Sequence, residues 1–160
     1  MSHVNFLGIP VEGEITPGHR IPQRPLAELQ PLLRALLDDE AVVEFGWQQY
    51  TPYFNDGEPC LFGIDSLWVR TTADRPDADP DDLHVGRYAN PHPTLGWRGW
   101  EAGREWPYTG ADEPRYERVR ALADALTEGG FDDVLLDAFG DHATVTVRRD
   151  GIVVKFYEHD

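Results

Sequence analysis

The stretch "HATVTVRRDGIVVKFYEHD", residues 142 to 160, decides the fold class. Apolar and polar side chains alternate from Thr144 to Arg148, and an apolar run broken by Lys155 follows Asp150-Gly151. A period of two belongs to a strand with one buried face. Asp-Gly suits the two positive φ angles of a type I′ hairpin turn. With the reversal at that pair, Val145 faces Phe156, Val147 faces Val154 and Arg149 faces Ile152 on a core side. Thr144, Thr146 and Arg148 then meet Tyr157, Lys155 and Val153 on a wet side, as in an antiparallel sheet covered on one face.

Upstream, the same period places Val43, Phe45 and Trp47 on one face and Glu44, Gly46 and Gln48 on the other. A second strand is expected from Cys60 to about Arg70, with Cys60, Phe62, Ile64 and Trp68 on its apolar face. A reversal at Asp56-Gly57 pairs Phe45 with Trp68 and Tyr53 with Cys60, although Pro52 and Pro59 cannot donate to a ladder and favour a wider tip.

Two helices complete the frame. Leu26, Leu29, Leu33, Leu36 and Leu37 recur at helical spacing, and Pro31 within them implies a kink or a later start. Asp112 caps a second helix with Pro114 in its first turn and Tyr116, Val119, Leu122, Ala123 and Leu126 on one face, ending at Gly129-Gly130. "DDVLLDAF" after it reads as a short third helix. The expected fold class is α+β: a mainly antiparallel sheet with two principal helices on one face and the order αββ suggested twice. Phe45, Phe62, Val145 and Phe156 belong to its core.

At 160 residues the chain is read as one domain, 1–160, with 41% hydrophobic residues to fill its core. Residues 1–24 form an extended arm laid on it. Residues 73–110 form a long loop, first acidic ("DRPDADPDD"), which reads as a solvated excursion, then rich in tryptophan ("GWRGWEAGREWPYTG"). A lone cysteine makes no internal disulfide, so the cytoplasm is the expected compartment. No stretch is long and apolar enough for a membrane helix. The net charge of −15 excludes nucleic-acid binding by a basic face.

"WQQYTPYFNDGEPCLF", Trp47 to Phe62, resembles a run found in uncharacterised proteins of bacteria and their phages, and "FGDHATVTVRRDGIVV" looks related to the same kind of protein. The resemblance implies kinship with a family of no assigned activity and brings no catalytic residue to this chain.

Trp97, Arg98, Trp100, Arg104 and Trp106 have the composition of an interface hot spot, the alternative being a lid folded over the core. Tyr50, Tyr53 and Asp56 are further binding candidates, beside Asn55 and Glu58, at a hairpin mouth around Cys60. Their acidic neighbours raise a thiol pKa, so Cys60 reads as a packed side chain rather than a nucleophile. Asp137, Asp141 and His142 form a candidate acid–base set, and Asp141, His142 and the terminal Glu158, His159 and Asp160 a weak metal pattern; incidental polarity explains both. His84 and His92 lie in loops with no partner spacing. No metal and no cofactor are expected.

The function that follows is a non-catalytic interaction or accessory protein whose Trp–Arg loop meets a protein partner or its own copy. One alternative is a small enzyme or ligand-binding domain with its pocket between the Tyr50–Cys60 corner and the Trp97–Trp106 loop. Another is an acidic mimic of DNA that inhibits a DNA-binding protein.

Overall fold

The computed structural model describes residues 4–13, 21–52 and 60–156. Chain order runs β1 (Val4–Phe6), β2 (Ile9–Val11), α1 (Leu26–Leu37), β3 (Val42–Tyr50), β4 (Gly63–Thr71), β5 (Trp100–Glu101), β6 (Arg104–Glu105), α2 (Glu113–Thr127), α3 (Asp132–Phe139), β7 (Ala143–Arg148) and β8 (Gly151–Phe156). The main sheet is antiparallel in the order β4-β3-β7-β8. Its two hairpins therefore meet through their first strands, each preceded by helices, which is the α+β arrangement of repeated αββ units. Phe45, Trp47, Val69, Val145 and Val147 share one core with Leu29 and Leu36 of α1, Val119, Leu122 and Leu126 of α2, and Leu135 of α3.

The helices form where the sequence places them. α1 runs unbroken through Pro31 from Leu26, so it starts where the leucines begin. Pro31 and Ala27, whose carbonyl loses the bond that proline cannot make, are both exposed, and water replaces the missing donor. Asp112 caps α2 by accepting from the Arg115 amide at 3.0 Å.

Registers differ from the simple alternation. In the first hairpin Phe45 pairs with Val69 and Gly46 with Trp68, because β3 carries an extra residue between Val42 and Glu44 and β4 an extra one opposite Gly46–Gln48. The first irregularity turns Val43 outward and buries Val42 in its place. Trp68 consequently lies on the face away from the helices, above Gly46. The expected Tyr53–Cys60 pair, with the whole of 53–59, lies outside the described residues.

The second hairpin reverses one residue early. Val145 pairs with Val154, Val147 with Ile152 and Arg148 with Gly151, so Arg149 and Asp150 make the turn. Neither has positive φ, and the type I′ expectation fails. Arg149 goes with the shift: its guanidinium donates to the Leu37 carbonyl at 2.8 Å, in the last turn of α1 where helical amide donors run out, and to the Asp39 carbonyl just beyond the helix. A two-residue slip preserves the faces. It does not bury β8, whose six residues are all exposed, and Phe156 is 76% accessible rather than in the core.

The excursion at 73–110 is built into the molecule. Leu83, Val85 and Leu95 are buried. Residues 83–85 run beside β4, with Val69 N donating to Leu83 O at 3.0 Å and Val85 N to Leu67 O at 2.9 Å. One edge of the sheet is thereby occupied. The amino-terminal arm divides: among the described residues β1 and β2 pair with each other alone, with Phe6, Ile9 and Val11 exposed, while Gln23 bonds the Gly129 carbonyl and receives the Asp133 amide, tying residues 21–24 to the α2–α3 turn.

Candidate functional site

The tryptophan-rich stretch forms a hairpin closed by Ala102-Gly103, both at positive φ. This is where a type I′ turn does occur, and Gly103 was its signal in the sequence. Rungs at Trp97–Thr109 and Gly99–Trp106 extend the ladder. Trp97 and Trp106 meet edge to face at 6.0 Å, and a Cβ on Gly99 would come within 2.7 Å of the Trp97 ring, so only glycine admits this approach. Trp97 also donates to the Ala89 carbonyl at 3.1 Å, and Arg87 covers Trp100 at 4.2 Å.

Arg98 is held by Glu117 at 2.7 Å and by Glu113, both on the first turns of α2. Arg120 of α2 reaches Glu105 at 2.9 Å. Arg98 and the Arg120–Glu105 pair therefore seat the hairpin on α2, Trp97 and Trp100 are half-buried against Ala89, Trp106 and Arg87, and Arg104 and Trp106 stay at the surface.

Tyr50 stands elsewhere. It ends β3, beside the His142 ring at 6.2 Å, while α2 begins near the other end of β3, where Arg115 grips Asp39 at 2.6 Å. Nine residues of strand span roughly 27 Å, so Tyr50 and the tryptophan hairpin do not meet. Tyr53 and Asp56 lie outside the described residues. Beside Tyr50, Asp141 accepts from the Thr51 amide at 2.8 Å and its hydroxyl at 2.6 Å, and bonds His142 Nδ1 at 2.9 Å. These bonds hold the Asp141 carboxyl below the usual range against the opposing effect of burial. Thr51 thus joins Asp141 rather than His142, and the pattern ties two chain segments together. Cys60 is half-buried. Among the described residues no cluster of three or more His, Cys, Asp or Glu side chains is arranged for a metal ion.

A second network escaped sequence reasoning. His92 Nδ1 accepts from the Thr94 and Leu95 amides, both at 3.1 Å, which places the proton on Nε2, and Nε2 donates to the Val69 carbonyl at 2.7 Å. Asp74 accepts from the Thr71 amide and hydroxyl and from the Thr94 hydroxyl. The His92 and Asp74 side chains are 1% and 2% exposed, and burial pushes the imidazole pKa down against the pull of Val69 and Asp74. Pro93 and Thr94 after His92 were the only local hint of a turn.

A cleft of about 600 Å³ opens between α2, β4 and residues 84–89, with Leu67, Val85 and Ala123 at its floor and Asp65, Asp124 and Glu128 around it.

The remaining surface of note is the outer strand. Ile152 is 51%, Val153 38% and Val154 44% exposed, beside Phe156. Ile152, Val154 and Phe156 continue the row of buried Val147, Val145 and Ala143 on the helix face. Edge strands are ordinarily blunted by charge, proline or a covering segment, and β8 has only Lys155. Among the described residues nothing pairs with its outer side. No helix among them is long and apolar enough to cross a membrane. Compared with family models, curated proteins and solved structures, the chain gives no match.

Proposed function

We propose that this protein is a small non-catalytic interaction or accessory protein of the cytoplasm, and that its contact surface for another polypeptide is the outer strand β8. The observation that carries this reading is the exposed row Ile152, Val154 and Phe156 on a sheet edge that no other described residue pairs with. An open edge offers main-chain donors and acceptors to an added strand, and alternate side chains supply the apolar contact. Trp106 and Arg104 are the members of the tryptophan hairpin exposed enough to contribute a separate contact. The unpaired cysteine supports the compartment.

The test immobilises the chain and compares what wild type, Phe156→Glu and Trp106→Ala retain from a cell extract, with circular dichroism melts to establish that each is folded. Proteins held by wild type and Trp106→Ala and lost with Phe156→Glu are expected. Retention that is identical for wild type and Phe156→Glu overturns β8 as the contact surface.

A further inference from the structure

Resting on that reading, we infer that β8 pairs with β8 of a second copy, antiparallel about a two-fold axis through Val154, joining two four-stranded sheets into one of eight strands. The inference begins from the contrast between the two edges. Residues 83–85 close the β4 edge, whereas among the described residues nothing closes the β8 edge and its apolar row.

Self-pairing of this strand is tightly constrained. Opposite residues of an antiparallel pair share a face, and a two-fold axis normal to the sheet keeps each face on its own side. The axis must therefore pass through a residue, and the registers are few. Centred on Lys155, the two ammonium groups stand opposite each other, which is unfavourable. Centred on Val153, Phe156 is placed opposite Asp150 of the turn. Centred on Val154, Ile152 faces the partner's Phe156, Val154 meets its own equivalent, and Lys155 lies opposite the partner's Val153. All three positions on the helix face then pair apolar with apolar, and no charges oppose.

Charge points to the same edge. The chain carries −15 overall, yet residues 143–156 hold Arg148, Arg149 and Lys155 against Asp150 alone. Two copies thus meet along a segment whose own side chains sum to a positive charge. The four apolar side chains of β8 offer on the order of 400 Å² per copy, about half of the ~800 Å² per partner in a standard interface. The dimer is accordingly reversible, and screening of the net charge tightens it.

Sedimentation equilibrium of the full chain from about 10 µM to about 1 mM is expected to show monomer and dimer in exchange, with more dimer at ~500 mM than at ~50 mM salt. Val154→Glu, at an exposed position, is expected to abolish the dimer and leave the melt unchanged. Register is read by oxidation in a Cys60→Ser background. Val154→Cys places two thiols directly opposite, within disulfide reach, and is expected to cross-link; Ile152→Cys faces the partner's Phe156 and is expected to stay uncross-linked. Equal cross-linking of the two variants overturns the register, and so does a dimer that survives Val154→Glu and is lost on removing residues 1–12. A monomer at every concentration overturns self-pairing outright. If Phe156-dependent capture of other proteins persists in that case, β8 stands as a contact surface; if it too is missing, both readings fall.

Discussion

Gly46 shows how much one missing side chain decides. A Cβ there would stand 2.3 Å from the Val145 carbonyl on the next strand and 2.9 Å from Trp68 Nε1, neither of which can retreat. Gly46→Ala is expected to destabilise the fold by roughly 2–4 kcal/mol, as overpacking against fixed backbone does, and a urea melt reads it directly. Asp39 is the second such residue. It receives Arg115 at 2.6 Å and Arg118 at 3.2 Å, and its carboxyl is held at about 2, lowered chiefly by the Arg115 hydrogen bond. Because the folded value lies below the unfolded one, the contribution is complete above about pH 4 and disappears as pH falls through about 2. Asp39→Asn is expected to cost about 2 kcal/mol at neutral pH and far less near pH 2, where the folded carboxyl is half protonated, checked by denaturant melts at both. Neither role was legible beforehand: Gly46 read as one polar-face position among others, and Asp39 as the tail of a helix. Both depend on what another segment brings alongside.

At the scale of elements, local pattern carried far where one segment suffices. α2 appears with its cap, its proline and its buried face as spacing implied, and the short third helix is present at Asp132–Phe139. Facing was legible in β7 and β8 but not past the bulges that send Val43 and Trp68 to the other face, and register was legible in neither hairpin, because bulges in β3 and β4 and the pull of Arg149 on α1 are set by neighbours. The long excursion was the least legible, since its order comes from Asp74, which bonds Thr94, and His92, which bonds Val69, partners 20 and 23 residues away that only folding brings close. Its stability must therefore titrate. Burial lowers the His92 pKa below 6.5, so the unfolded chain binds a proton more readily than the folded one. The lock is fully in force above about pH 6.5 and weakens as pH falls toward the folded value. Amide exchange across residues 83–96 is expected to quicken between pH 7 and pH 5.5, after correction for intrinsic rates, more than exchange in α2. His92→Gln is expected to remove that dependence. In the tryptophan hairpin, Trp97→Ala is expected to lower the melting temperature by several degrees, through loss of packing and of the bond to Ala89, and Trp106→Ala by less, since 43% of Trp106 is exposed.

For the whole molecule, −15 on 160 residues is a self-repulsion that salt relieves. The melting temperature of the Val154→Glu variant, free of the dimer contact, is expected to rise between ~20 mM and ~300 mM NaCl. A flat or falling response means that local Arg–carboxylate pairs, such as Arg98 with Glu113 and Glu117, outweigh the net field. By itself the sequence determined the class of fold, the helices, the facing of β7 and β8 and the sign of the net charge, because propensity, period and charge are properties of a segment and its immediate neighbours. Only the tertiary structure decided which edge of the sheet is closed, that Phe156 is exposed, and that Arg98 and Arg120 seat the tryptophan hairpin on α2. Alternation states which side chains share a face, but covering that face takes a second surface. The chain supplies one over β7 and, among the described residues, none over β8.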